Sequence, residues 1–402
     1  MDRAAQDRLE SYFDRIGKIL GSSSRRGSFA MYALGLLGSL DRKTMEGIAA
    51  QVCADPDRMD ATHQRLHHFM TDSTWSDGDV RLEAARYALE AMTQRLEIQS
   101  WIIDDTGFLK QGKHSVGVQR QYTGTAGKIT NCQIGVSLTL ATVNEHLPID
   151  FELYVPDSWA NDPARRKEAR IPEEFEFHTK PELALAMIQR ADAANLPQGT
   201  ILADETYGNS SEFRLGLRGI GHEYIVAINS TTTVRLVEKS GQLSEREYSV
   251  EDLALQFRRQ RKYRRYTWRE GTAGSLSARF AFCHVVPVQE LQHSREPGPS
   301  WLICEWRDGD SKPEHFHLAS HGKVAKSTLV RLLKERWRTE RAYQDLKGQL
   351  GLDHFEGRRF PGWHHHVSVV LACYAFLVAE RARRFSPSAE RASQHHTFTL
   401  AA

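Results

Sequence analysis

Cysteine is sparse: Cys53, Cys132, Cys283, Cys304 and Cys373 are the only five in 402 residues, and no two form a CxxC pair. That scatter excludes a zinc ribbon or a disulfide framework and fits a reducing cytosol. No apolar run approaches the ~20 residues that a membrane-spanning helix requires. The amino terminus, MDRAAQDRLESYFDRIG, is charged and has no apolar block of the signal-peptide kind. An excess of one charge is also missing: 53 Lys and Arg stand against 51 Asp and Glu, so bulk charge announces no nucleic-acid partner. A hydrophobic content of 40% and a charged content of 26% are ordinary for a soluble globular chain. The length allows two or three domains, each with a core of its own.

What charge there is, is patterned. From Arg258 to Arg269 the chain reads RRQRKYRRYTWR, twelve residues with seven cations and no acid, interleaved with Tyr263, Tyr266 and Trp268. Arg258, Arg259, Arg261, Lys262, Arg264 and Arg265 suit DNA phosphates, and Trp268 suits stacking on an exposed base. The competing reading is a solvated sheet edge protected by charge. Lys110, Lys113, His114, Arg120 and Lys128 lie in or beside Gly-rich turns flanking the first strands, as a groove lining or as surface charge.

Periodicity predicts a helical region over 1–95, with apolar residues at three- and four-residue spacing in SFAMYALGLLGSL and GDVRLEAARYALEAMTQRL. Gln64, Arg65, His67 and His68 fall in a helical stretch suited either to a DNA groove or to a packing bundle. Strand patterns begin at IQSWIIDD and continue through NCQIGVSLTLAT and HLPIDFELYV. A helix follows over 180–194, then the short strand GTILAD, a helix over 210–217 and the strand EYIVAI. This order predicts an α/β core with a mixed sheet over 96–228 and 323–385. A β-rich insertion is predicted over 229–322 and a disordered tail over 386–402. Helical periodicity resumes from Lys326 to Leu350, and a last helix covers 364–384.

Two aspartates end apolar strands: Asp104 after WII and Asp204 after TIL. Strand ends of an α/β sheet are where ligands commonly bind, although a turn or cap aspartate looks the same in sequence. Asp105 is the alternative first acid, because neighbours on a strand point to opposite faces. In the helix over 326–350, Arg336, Glu340, Tyr343 and Lys347 share one stripe at ~100° per residue. Carboxylates from two strands and one helix suit two Mg²⁺ ions, which take oxygen ligands. Two such ions ~4 Å apart can serve phosphodiester chemistry. Three consecutive histidines, His364 to His366, do not share a helix face and make a poor metal site.

In combination, WIIDDTGFLKQGKHSVGVQRQYTGTAGKITNCQIGVSL, ILADETYG and RWRTERAYQDLKGQLGLDHFEGRRFPGWHHH resemble the DDE transposases of bacterial insertion sequences. The likeness is greatest to the group with a β-rich insertion ahead of the catalytic glutamate and a Y-R-E-K signature, and it extends over roughly residues 20–380. The resemblance implies a ribonuclease-H-like fold and a carboxylate triad of Asp104, Asp204 and Glu340 holding two Mg²⁺, with Mn²⁺ able to substitute. Asp104 is favoured over Asp105 by the family's Asp-x-Thr pattern, completed by Thr106. Arg336 and Lys347 keep the places that contact DNA phosphate. The tyrosine place is Leu333, a departure, and Tyr343 is the available substitute. The implied partners are the terminal inverted repeats, target DNA and a second copy of the chain on DNA, and the implied location is the bacterial cytoplasm at the nucleoid. A domesticated, non-catalytic DNA-binding protein and a ribonuclease-H-like nuclease are the alternatives.

Overall fold

The structure, a computed structural model, describes residues 2–271, 274–294 and 297–384. The tail over 386–402, expected to be disordered, lies outside these residues. The helices are α1 (Arg3–Leu20), α2 (Ser23–Leu37), α3 (Met45–Val52), α4 (Met59–Thr71), α5 (Asp77–Met92), α6 (Asp157–Ala160), α7 (Pro163–Ala169), α8 (Lys180–Ala193), α9 (Glu205–Gly208), α10 (Ser211–Gly219), α11 (Val250–Arg259), α12 (Val288–His293), α13 (Lys326–Leu333), α14 (Trp337–Leu350) and α15 (Phe360–Arg384). The strands are β1 (Ser100–Leu109), β2 (Gln119–Thr123), β3 (Lys128–Ala141), β4 (His146–Tyr154), β5 (Thr200–Ala203), β6 (Tyr224–Ile228), β7 (Thr233–Val237), β8 (Leu243–Ser249), β9 (Arg264–Gly271), β10 (Gly274–Pro287), β11 (Ser300–Trp306) and β12 (His315–Ala319). Parallel and antiparallel pairs occur together, the mixed-sheet α/β architecture that the resemblance implies.

Contacts divide the chain into two compact units. One comprises Met1–Ile98, Asp105–Thr179 and Arg338–Ala402. Its helices start where the sequence supplies a capping oxygen: Asp2, Ser22, Thr44 and Ser76 each accept an amide hydrogen at the start of α1, α2, α3 and α5. Around α15 pack α5, α2, α4 and β4. The Tyr12 hydroxyl donates to the Ala372 carbonyl at 2.8 Å, and Trp75 stacks on His365 with ring centroids 4.0 Å apart. Among the described residues α15 is the one helix long and apolar enough to cross a membrane, yet it is almost wholly buried in this unit. Reading the sequence for unbroken apolar runs underrates it, because His364, His365, His366 and Ser368 interrupt the run. A helix apolar on nearly every side needs partners all round, which ties the amino-terminal helices to the chain's far end.

The other unit comprises Gln99–Asp104 and Lys180–Trp337. The start of β1 pairs with β5 and β5 with β6, both parallel. Beyond β6 the pairing turns antiparallel through β12, β11, β10, β7 and β8, with β9 on β10. The β-rich stretch therefore continues the β5–β6 sheet, because β12 pairs Phe316 with Ile228. Arg214 and Glu290 form a fully buried ion pair at 2.6 Å that binds α10 to α12.

Candidate active site

β1 and β5 run parallel in a simple register, Ser100 opposite Thr200, Trp101 opposite Ile201 and Ile102 opposite Leu202. Two residues further, the same register sets Asp104 level with Asp204. Neighbouring strands lie ~4.8 Å apart and level residues face the same way. Asp204 follows the end of β5, but Asp104 lies midway along β1, which runs on to Leu109 instead of ending at the acid as the sequence pattern predicts. The two carboxylates are side by side on adjacent parallel strands.

The second strand stops at Ala203 because Asp204 caps the next helix. One of its carboxylate oxygens accepts the Thr206 amide at 2.8 Å and starts α9. That short helix closes onto β6 through Gly208, where a Cβ would come within 1.8 Å of the Ala227 carbonyl oxygen. Only glycine fits there. The Arg214 guanidinium also donates to the Gly208 carbonyl at 2.5 Å. The turn carrying Asp204 is thus held from below by a buried arginine.

Between the two aspartates sits Arg336. Its Nη2 is 3.6 Å from Asp104 Oδ2 and 3.9 Å from Asp204 Oδ2. These are ionic contacts beyond hydrogen-bond length, and the arginine's Nε is buried without a hydrogen-bond partner. Asp104, of the two adjacent acids, is the one that shares this cation with Asp204. Arg336 lies in a short 3₁₀ turn over Lys334–Arg336, which interrupts the single helix expected over 326–350. Lys334 in that turn pairs with the buried Glu305 at 2.5 Å and lies 4.7 Å from the Trp268 ring centre. Burial pushes the Glu305 carboxyl up, but the Lys334 ammonium more than offsets it, and the net shift is downward. Burial holds His317 neutral, with its pKa down to about 3.

Glu340, Tyr343 and Lys347 belong to the other unit. Glu340 is exposed in the first turn of α14. Tyr343 is buried, and its hydroxyl is 2.7 Å from Ser137 Oγ on β3. Lys347 donates to Thr106 Oγ1 and to the Gly107 carbonyl, both at 2.8 Å, and burial lowers its pKa. It therefore braces the segment after Asp104. In the signature's tyrosine place, Leu333 is a core residue.

The basic stretch spans the end of α11, a turn with Arg261 at φ 54°, and β9. Arg258 lies over Trp306 and donates to the Ser311 carbonyl, Lys262 lies over Phe257, and Arg265 pairs with Asp308 at 2.9 Å. Arg259, Arg261 and Arg264 are exposed. Trp268 is half-buried beneath Lys334 and edge-on to Phe280, so it packs against the turn that carries Arg336 instead of standing free to stack on a base. Sequence reasoning missed Lys334 and Glu305, whose pairing across 29 positions leaves no local pattern. The three histidines are core: His365 bonds the Met70 carbonyl, and His366 bonds Tyr32 and the Gly351 carbonyl. Burial brings the His366 pKa down to about 4.

Among the described residues, no three His, Cys, Asp or Glu side chains gather as a metal cage. The chemistry of what is gathered is nonetheless specific: two carboxylates and one cation between them. The family described as DDE superfamily endonuclease matches residues 15–275. The chain belongs to that superfamily. The family described as transposase DDE domain matches residues 179–376. The chain is also similar to the probable transposase for insertion sequence element IS701 of Microchaete diplosiphon, with 30% identity over 213 residues. The match covers 53% of this chain and spans about half the length, 51%, of that relative. These likenesses bear out the resemblance to insertion-sequence DDE transposases.

Proposed function

We propose that the chain cuts the ends of an insertion sequence and joins them to target DNA by divalent-metal-dependent phosphodiester chemistry. The observation that carries this is the level pair Asp104 and Asp204 with a guanidinium between them. The residues fit magnesium: the donor set is all oxygen, and Arg336 places positive charge where a cation would be held. Asp104 and Asp204 would hold the ions through carboxylate oxygens, Asp204 keeping one oxygen on the Thr206 amide. Glu340 would complete the ligand set. When bound, two ions supply Lewis acidity to both sides of the scissile phosphodiester. Arg336, drawn off the carboxylates as they take up metal, is suited to a backbone phosphate. The Lys347 tether keeps Thr106 and Gly107 in place, steadying the strand from which Asp104 projects. The substrates are the terminal inverted repeats and target DNA, two copies of the chain bring two ends together, and the site of action is the bacterial nucleoid.

The test is a joining assay with the native terminal repeats in Mg²⁺, Mn²⁺ or Ca²⁺. Nicking and strand transfer are expected with the first two, and binding without cleavage with Ca²⁺. Full strand transfer by an Asp204→Ala protein would sink the assignment.

A further inference from the structure

The geometry points to the β2–β3 hairpin as a DNA-contacting surface, with Arg120 and Lys128 on phosphates and the Tyr122–Ile129 pair against deoxyribose. This inference rests on the reading of the chain as a DNA transposase and specifies where the duplex lies.

Four observations carry it. First, Tyr122 and Ile129 face each other across the hairpin and are 63% and 60% exposed, among the most exposed large apolar side chains of the described residues. Water-facing apolar pairs of this size mark contact surfaces when they are neighbours rather than scattered. Second, Arg120 lies two residues from Tyr122 on the same strand, so both project from one face, while Lys128, paired with Thr123 beside the turn, projects from the other face at the hairpin's tip. Both cations are exposed. Third, the 39 residues from Thr106 to Asn144 contain no Asp or Glu but carry Lys110, Lys113, Arg120 and Lys128. Lys110 is held on the Phe355 carbonyl, whereas Arg120 and Lys128 are exposed on the hairpin and have no acid within the stretch, which suits a polyanion. Fourth, the hairpin is preorganised. Thr125 in its turn accepts the Gly107 amide at 3.1 Å, and at Gly107 a Cβ would lie 2.0 Å from Thr123 Oγ1. Gly107 is three residues beyond Asp104 on β1, so the hairpin is bonded to the segment that presents the first aspartate. A second copy of the chain is the competing occupant, since β2 is an edge strand. The run of cations without acids disfavours it, because two such edges repel.

The experiment uses the full chain and a duplex of about 40 bp carrying the terminal repeat, with binding followed by fluorescence anisotropy across NaCl concentrations. Wild type is compared with Arg120→Ala/Lys128→Ala and with Tyr122→Ala/Ile129→Ala. Removing one phosphate-binding cation should flatten the plot of log affinity against log salt by ~0.9, so the double cation variant should have a slope shallower by ~1.8. The apolar variant should bind several-fold more weakly with its slope unchanged. Thermal unfolding checks that both variants are folded, and Arg120→Glu serves as a second variant, expected to weaken binding further. Wild-type slope and affinity in all three variants would overturn the inference. A change of sedimentation behaviour in the apolar variant without DNA would overturn it in favour of a contact between copies. Absence of any salt-dependent DNA binding by wild type would overturn the underlying reading as well.

Discussion

Replacing Arg336 with glutamine should make the protein bind divalent metal more tightly in the absence of DNA. The guanidinium and a cation on Asp104 and Asp204 compete for the same two carboxylates. At separations of 3.6 and 3.9 Å, and even with the dielectric constant of water, each contact is worth about 1.1 kcal/mol. Side-chain exposure of 13–31% among the three residues places the true screening between water and protein interior, but desolvation offsets much of the added attraction. About 2 kcal/mol is therefore a working figure, on the order of a 30-fold change in dissociation constant. The assay is a Mn²⁺ titration followed by electron paramagnetic resonance, which counts free ion and needs no turnover. Wild type should gain affinity when duplex is added, because phosphate then takes the guanidinium. Arg336→Gln should start tighter and gain much less. Equal or weaker Mn²⁺ binding by Arg336→Gln without DNA would refute the competition.

Three further outcomes are expected. Gly208→Ala forces a methyl group against the Ala227 carbonyl and should lower stability by about 2 kcal/mol or more, read as a drop in the denaturant midpoint. Lys347→Met should reduce strand transfer while leaving the salt slope of DNA binding at its wild-type value, because Lys347 is committed to Thr106 and Gly107; a flatter slope would restore the phosphate-contact role. Burial depresses the His366 pKa to about 4, below its unfolded value near 6.5, so the unfolded chain binds more protons between those limits. Stability should therefore be complete above pH 6.5 and decline as pH falls toward 4. Thermal unfolding against pH would show this, with a shallower decline in His366→Gln.

The end of β5 at Asp204 is legible in the sequence because the signal is local, apolar TIL running into an acid that caps the next helix. The same pattern at WII does not end β1, which passes through Asp104 and Asp105 to Leu109 because Gly107 and Phe108 after the acids are buried again. The 3₁₀ turn over Lys334–Arg336 is not legible, since Lys, Glu, Arg and Trp are all acceptable within a helix and the break is made by packing against Trp268 and Glu305. The burial of Tyr343 is not legible either, because a helical stripe says which residues are neighbours, not which of them finds Ser137 opposite. The level placement of Asp104 and Asp204 depends on strand register, which no single segment encodes. The buried character of α15 is hidden in the sequence because its histidines break the apolar run, whereas in the fold His365 and His366 bond backbone carbonyls and Tyr32 and His364 Nδ1 bonds the Phe360 carbonyl.

Asp204 serves two masters, as a helix cap through the Thr206 amide and as an acid beside Asp104. An alanine there removes both roles, so loss of activity alone would not separate damage to the turn from loss of a ligand. Asparagine retains a side-chain oxygen of the same reach and caps as well as aspartate, but it brings no negative charge. Asp204→Asn thus offers a protein whose architecture is kept and whose chemistry is silenced, suited to holding an uncut DNA end long enough to be seen.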